Sequence, residues 1–226
     1  RGLIFDNFTG GLIRRPYHKF FNVGEREETL TTNLPFDWRF DVITKLDGSM
    51  IAPFMTSDGV LRWGTKLGET TVAEPVKHWI NWNTKGARYN EFAIEMIQYG
   101  WTPIFEWMSR ENRIIIDYGV EPKLVLTGIR YMRTGLYMER HRMSVLAEQY
   151  GIPLVEYNDF NGWDSFDHMF QSFGNQVDCE GYVIRFNDGH MVKLKNSWYV
   201  ALHKAKDSIL REHNVATLVL DGKVDD

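Results

Sequence analysis

The sequence predicts an α+β protein in which antiparallel sheets are flanked by helices. Short apolar runs near the start are separated by Thr-Gly-Gly and Asp-Gly, the spacing of a strand meander. Later segments carry apolar residues at helical intervals and stand between further strand-like runs. A chain of 226 residues with 43% apolar and 14% aromatic content can form a sizeable core, and no internal repeat is visible. We therefore expect one mixed domain over residues 1–226.

The front of the chain contains five predicted strands. They are residues 2–5, 11–15, 38–44, 49–54 and 60–65. Asp47-Gly48 separates the third run from the fourth. Asp-Gly between apolar runs indicates a tight hairpin, because Gly tolerates the positive φ that such turns need. On this interpretation Lys45 is a solvent-exposed residue at the end of the strand that leads into a hairpin turn.

Helical and strand patterns share the remainder of the chain. Helices are predicted within residues 71–99, ended by Gly100, around 143–150, ended by Gly151, and at 164–173 and 199–212. Further strands are predicted at residues 103–108, 112–118, 123–132, 180–186 and 190–195. Asn187-Asp188-Gly189 joins the last two of these strands.

Composition excludes several classes of protein. The 26 basic and 30 acidic residues give a net charge of −4, so any phosphate-binding surface must be local. The one cysteine, Cys179, excludes an internal disulfide framework and a multi-cysteine zinc site, which fits a reducing cytoplasm. No signal peptide or membrane-length apolar run is visible, so we expect a cytoplasmic protein with no membrane partner.

Five charged residues stand in or beside apolar strands. Alternation places Glu106 on the face opposite Phe105 and Trp107, Glu180 opens a strand, and Lys193 and Lys195 share one strand face. Together with Lys45, these amines would repel one another unless an anion lies between them. A phosphate ester with a metal ion would satisfy both the amines and the carboxylates. Taken singly, each of these residues is better explained as a surface lysine, an edge-strand charge or a solvated strand face.

The combination of motifs resembles a known family. K-L-D-G-S at 45–49, F-E-W at 105–107, E-G-Y-V at 180–183 and K-L-K at 193–195 resemble motifs I, III, IV and V of the covalent nucleotidyltransferases. RGLIFD at the start, RPYHKFFNVGE at 15–25, RWGTKLG at 62–68, ENRIIIDY at 111–118 and KLKNSWYVALHKAKDSI at 193–209 are similar to the RNA ligase 1 family of the T-even bacteriophage type. The resemblance covers nearly the whole chain.

The resemblance implies an ATP-dependent joining of RNA ends in three steps. Lys45 would attack the α-phosphorus of ATP to form lysyl-AMP and pyrophosphate, AMP would pass to an RNA 5′-phosphate, and a 3′-hydroxyl would displace it. An amine is a good nucleophile once neutral. Since the reference pKa of lysine is about 10.4, we expect Lys193, Lys195 and bound Mg²⁺ to favour the neutral amine.

The resemblance also assigns roles to the other candidate residues. Lys193 and Lys195 would be catalytic and would grip the α-phosphate, Glu180 would organise Mg²⁺ or Mn²⁺, and Glu106 would hold the ribose. Further nucleotide contacts are implied for Arg1, Lys19 and Lys66.

Several positions are left open by the resemblance. Ile129, Tyr131 or Val183 would form the adenine sandwich. Tyr199 matches a family motif position and equally fits core packing, Asp47 and Gly48 would serve the turn, and Ser49 would cap or contact a neighbour. We expect a fragment that lacks the family's extreme N-terminal segment and its C-terminal specificity domain.

Two alternatives stand beside an RNA ligase. A DNA ligase or capping enzyme shares the lysine chemistry, but both normally continue from K-L-K into an oligonucleotide-fold domain, whereas here a predicted helix follows. The second alternative is a protein that still binds a nucleotide or RNA but has lost catalytic activity. The expected partners are single-stranded or broken RNA ends with a 5′-phosphate and a 3′-hydroxyl. We expect a monomer, in the host cytoplasm if the source is viral.

Overall fold

The computed structural model describes residues 1–35, 40–158 and 165–220, with side chains described as far as Leu210. Its strands, in chain order, are β1 (Ile4–Phe5), β2 (Leu12–Arg14), β3 (Phe21–Asn22), β4 (Phe40–Lys45), β5 (Ser49–Met55), β6 (Leu61–Gly64), β7 (Trp101–Met108), β8 (Lys123–Tyr131), β9 (Tyr157–Asn158), β10 (Gly181–Phe186) and β11 (Met191–Lys195). Its α-helices are α1 (Ala73–Trp82), α2 (Gly86–Gln98), α3 (Arg140–Tyr150), α4 (Phe166–Gly174) and α5 (Ser197–Leu220). The predicted α+β class is confirmed.

A four-stranded antiparallel sheet with the order β6-β5-β7-β8 forms one half of the framework. Helices α1, α2 and α3 contribute the apolar residues that pack against it, among them Phe92, Met96 and Met143. The sequence indicated one helix before Gly100, and the structure has two there. Gly86 begins the second helix and passes so close to the carbonyl of Ile80 that a Cβ would overlap it. The glycine therefore permits the tight turn between α1 and α2.

A five-stranded sheet with the order β3-β11-β10-β4-β9 forms the other half. Its pairs are antiparallel except β3 with β11. Phe166 and Met169 of α4 pack on its inner strands with Ile184 and Val192. Antiparallel β10 and β11 confirm the predicted hairpin, and Gly189 supplies the positive φ of 86° in the turn.

The predicted hairpin at Asp47-Gly48 is wrong. Strand β4 pairs with β10 and β9, whereas β5 pairs with β6 and β7, so residues 46–48 link two sheets instead of folding one strand back on the other. Gly48 does not adopt a positive φ. A Cβ there would lie 2.3 Å from the carbonyl oxygen of Trp107. Glycine is needed at this position because the backbone of β7 at Trp107 passes directly against residues 46–48.

The predicted strand at residues 112–118 is also wrong. This segment is a loop without ladder hydrogen bonds. The backbone N–H groups of Ile115 and Ile116 donate to Asp47 Oδ2, each at 2.8 Å. A buried side chain thus satisfies the donors that a neighbouring strand would have satisfied.

Two predicted elements extend beyond the residues that the structure describes. Residues 38–39 of the third predicted strand and Asp164 of the predicted helix at 164–173 lie outside the described residues. In the part of the chain that the structure describes, none of the helices combines the length and the apolar content that a membrane span requires.

Candidate active site

A cavity of about 610 Å³ lies between the two larger sheets. Both sheets and the segment that precedes β3 line it, and its volume is typical of small-molecule sites. Six of the residues predicted from the sequence line this cavity, namely Arg1, Lys19, Lys45, Lys66, Glu106 and Lys193. The five lysine and arginine side chains among them make the cavity suited to an anionic ligand.

Glu180 bridges two of the predicted lysines. Its Oε2 lies 2.6 Å from Lys45 Nζ, its Oε1 lies 3.1 Å from Lys195 Nζ, and only 3% of its side chain is exposed. Strand register explains this arrangement, because Gly181 of β10 stands opposite Lys45 on one side and Lys195 on the other. A carboxylate this buried is stable only when it is paired, and here it has two partners.

Lys193 completes the group of lysines. It lies two residues from Lys195 on the same face of β11, and its Nζ lies 5.5 Å from the ring centroid of Phe20. Burial lowers the pKa of Lys193, and the positive charges of Lys45 and Lys195 lower it further. The lysine cluster therefore favours an anion at its centre.

Glu106 lies on β7 opposite Met50, the residue that follows Ser49 on β5. Burial raises the pKa of Glu106 to about 8, against the attraction of Lys45 and with repulsion from Glu180 and Asp47. Near neutral pH its carboxyl group is therefore mostly protonated. A protonated carboxyl both donates and accepts a hydrogen bond, which suits a ligand hydroxyl.

Asp47 connects the link between the sheets to α5 and to the loop that follows β7. Its side chain is buried, its Oδ1 accepts a hydrogen bond of 2.6 Å from Tyr199, and its own N–H donates to Tyr118 at 2.8 Å. The sequence assigned Asp47 only to a turn and left Tyr199 between core packing and a motif role. The expected contact of Ser49 is present, since its Oγ accepts from Asn112 at 2.9 Å. Asp47 thus fixes the backbone beside Lys45.

Arg14 is a functional candidate that the sequence reasoning missed. It is fully buried, and its guanidinium donates to the carbonyl oxygens of Gly2, Ala52, Gly64 and Thr65 at 2.9 to 3.3 Å. Gly2 and Thr65 directly adjoin the exposed rim residues Arg1 and Lys66. The sequence offered one signal for Arg14. It lies two residues after Leu12 in a short strand, so both side chains are on the same face of β2.

The structure narrows the open question about an adenine sandwich. Val183 lines the cavity, whereas Ile129 is fully buried in the core and the ring of Tyr131 packs on Trp101. Only Val183 of the three candidates can therefore contact a ligand in this cavity.

Three aromatic residues of the segment before β3 also line the cavity, and the sequence analysis did not single them out. They are Tyr17, His18 and Phe20. Thr127 lines it as well, at a β-bulge where Ile104 and Phe105 face Gly128 and Leu126. Leu124 and Leu126 of β8 face the core, so strand alternation already places Thr127 on the opposite face, toward the cavity.

The carboxylates fit a metal ion only in part. Among the described residues, no group of three or more His, Cys, Asp or Glu is placed to hold a metal. Mg²⁺ at nucleotide sites commonly uses one or two carboxylates together with substrate phosphates and waters. Glu180 meets this requirement when a phosphate supplies the other ligands, so its metal role stays a prediction.

Comparisons with known proteins agree with this geometry. A family model described as RNA ligase matches residues 1–199. RNA ligase 1 of bacteriophage TS2126 is 26% identical over 210 residues, covering 88% of this chain and 50% of that protein. A Thermovibrio ammonificans protein, whose name gives RNA ligase as a provisional assignment, is 29% identical over 234 residues, covering all of this chain and 59% of that protein. The chain therefore spans about half the length of these relatives.

Solved structures show the same fold. Naegleria gruberi RNA ligase with pyrophosphate matches with a TM-score of 0.54 and 20% identity, over 74% of this chain and 52% of that one. A lysine-to-alanine mutant of the same ligase with ATP and Mn matches with a TM-score of 0.55 and 19% identity over the same shares. At these identities the likeness concerns the fold alone.

Proposed function

This chain belongs to the RNA ligase family, and on that premise we propose that it is the adenylylating core of an ATP-dependent RNA ligase. The observation that carries the proposal is the position of Lys45. Its ammonium lies in a cavity lined by four other lysine and arginine residues and is held 2.6 Å from buried Glu180. An ATP molecule in this cavity would present its phosphates to a lysine that is already fixed in direction.

In the first step Lys45 acts as the nucleophile. A bond forms between its Nζ and the α-phosphorus of ATP, and the bond from that phosphorus to the bridging oxygen breaks as pyrophosphate leaves. The ammonium must first lose a proton and leave its ion pair with Glu180, because a protonated amine has no free electron pair. Glu180 Oε2 is in direct contact with Nζ and is therefore placed to accept that proton or to pass it to water.

Lys193 and Lys195 stabilise the charge that develops on the phosphate oxygens. Both are fixed on β11, and Lys195 is anchored by Glu180 at 3.1 Å. Preorganised cations contribute much of the rate in phosphoryl transfer. A bound Mg²⁺, or Mn²⁺ in its place, would be held by Glu180 with substrate phosphates and would neutralise phosphate charge. Glu106, protonated near neutral pH, would donate a hydrogen bond to ribose.

In the second step an oxygen of an RNA 5′-phosphate attacks the α-phosphorus, the bond from phosphorus to Lys45 breaks, and the amine regains a proton. In the third step a 3′-hydroxyl attacks the activated 5′-phosphorus and gives up its proton to water. A phosphodiester bond forms, and the bond from that phosphorus to AMP breaks as AMP leaves. We propose that broken RNA ends are the substrate and that the enzyme serves RNA repair as a cytoplasmic monomer.

Intact mass after incubation with ATP and Mg²⁺ tests the proposal. We expect one AMP adduct in the wild type, no adduct with GTP, and loss of the adduct when 5′-phosphorylated RNA is added. Lys45→Ala should form no adduct. Lys85→Ala, which removes an exposed lysine outside the cavity, should be adenylylated like the wild type.

Two results would contradict the proposal. An adduct with GTP but not with ATP would indicate a capping-type enzyme. The absence of an adduct in a wild-type protein that binds ATP would indicate a nucleotide-binding protein without this chemistry.

A further inference from the structure

A second cavity, of about 430 Å³, lies beside the first and shares Lys193 with it. Residues of β3, β11 and the first half of α5 line it. Its basic lining residues are Lys193, Lys195, His203 and Lys204. Both His203 and Lys204 lie in the stretch 193–209 that is similar to the RNA ligase 1 family, but the resemblance assigns neither of them a contact with the nucleotide.

The charge of this second cavity is one-sided. None of the lining residues that the structure describes is acidic. Lys204 is exposed, and His203 is half-buried with its Nδ1 3.0 Å from Asp207. Crowded cations of this kind are stabilised by a bound anion.

We propose that the second cavity binds the terminal 5′-phosphate of the RNA. The inference rests on the proposed function, since it names the place where the acceptor of AMP would lie. Transfer of AMP requires the α-phosphorus on Lys45 and the RNA phosphate to meet. Lys193 lines both cavities, and Glu180 joins Lys45 to Lys195, so phosphates in the two cavities would be neighbours.

The alternative anion is the triphosphate of ATP itself. The first cavity, however, has its own outer cations in Arg1, Lys19 and Lys66, none of which lines the second. His203 and Lys204 line only the second cavity. A terminal phosphate monoester carries a charge of about −1.5 to −2 at pH 7, more than a backbone phosphodiester, and so suits a cluster of four basic groups.

The test compares two RNA oligonucleotides of one sequence, with a 5′-phosphate or a 5′-hydroxyl, by fluorescence anisotropy on the 226-residue chain. The wild type should bind the phosphorylated RNA about tenfold more tightly, as a charge-assisted contact predicts. Lys204→Ala and His203→Gln should each lose most of this preference. Lys85→Ala should retain it, because Lys85 lines neither cavity. Formation of lysyl-AMP from ATP is measured in parallel on the same variants.

The outcomes separate this inference from the proposed function. If the wild type forms lysyl-AMP but binds both oligonucleotides equally, or if both variants keep the preference, the second cavity is not the 5′-phosphate site. If the variants instead raise the KM for ATP, the cavity holds the nucleotide's phosphates and the inference is overturned. Failure of the wild type to form lysyl-AMP would refute the proposed function. The relative affinity of the protein for 5′-phosphorylated and 5′-hydroxyl RNA would still show whether the second cavity binds the terminal phosphate.

Discussion

Replacing Glu106 by Gln should change how the stability of the protein depends on pH. Glu106 has its pKa raised from 4.5 to about 8, chiefly by burial. The folded state therefore holds a proton that the unfolded chain releases above about pH 4.5. Wild-type stability should fall as pH rises through this window and level off above the folded pKa. Glu106→Gln has no such proton and should lack this fall.

The size of this loss of stability follows from the pKa shift of Glu106, which runs from 4.5 to about 8. Each pKa unit corresponds to about 1.36 kcal/mol, so the unfolding free energy can fall by about 5 kcal/mol at most. The cavity is open to water, which weakens the penalty for the charged form, so we expect a difference of about 2 kcal/mol. The difference in unfolding free energy between variant and wild type should be near zero at pH 4 and favour the variant at pH 9.

Urea denaturation from pH 4 to pH 9 measures this difference directly. Glu121→Gln serves as the control, because Glu121 is exposed and should give the wild-type profile. Parallel profiles for wild type and Glu106→Gln over the whole range would contradict a raised pKa of Glu106, since Glu106 would then titrate as a solvated carboxyl group.

Three further predictions concern the support of the site. Tyr199→Phe should lower the free energy of unfolding in urea by about 1–3 kcal/mol, because the buried Asp47 carboxylate loses a hydrogen bond of 2.6 Å; no loss would contradict this. Gly48→Ala should lower the melting temperature by several degrees, because its Cβ would overlap the Trp107 carbonyl, while Gly174→Ala, which meets nothing within 4 Å, should not. Arg14→Lys should raise the KM for ATP in adenylylation assays severalfold with a smaller change in kcat, since lysine cannot bind the four carbonyl groups behind the cavity rim; an unchanged KM would contradict that role.

Local patterns predicted most of the strands and helices because their signals lie within a few residues. Helix α3 ends where Gly151 adopts a positive φ of 60°, and β10 and β11 meet at the predicted turn. The Asp47-Gly48 link was misread because a hairpin and a crossing between sheets have the same local sequence. Only the pairing of β4 with β9 and β10 and of β5 with β7, which are distant in the chain, distinguishes the two.

The charged residues of the site were predicted better than the residues that support it. Lysines and glutamates in apolar strands are conspicuous, and family motifs placed them in order. Arg14 was missed because its role depends on distant carbonyl groups, which leave no local pattern. Thr127 was overlooked although alternation with Leu124 and Leu126 places it on the face of the cavity. The predicted strand at residues 112–118 failed for a related reason, since its backbone donors bind the Asp47 side chain.

The position of the AMP adduct in the chain identifies the nucleophile. After incubation with ATP and Mg²⁺, proteolysis and tandem mass spectrometry under mildly basic conditions would locate AMP within the peptide that contains Lys45. We expect AMP on the Nζ of Lys45 and on no other lysine. AMP on Lys193 or Lys195 instead, with Lys45 unmodified, would contradict the assignment of the nucleophile.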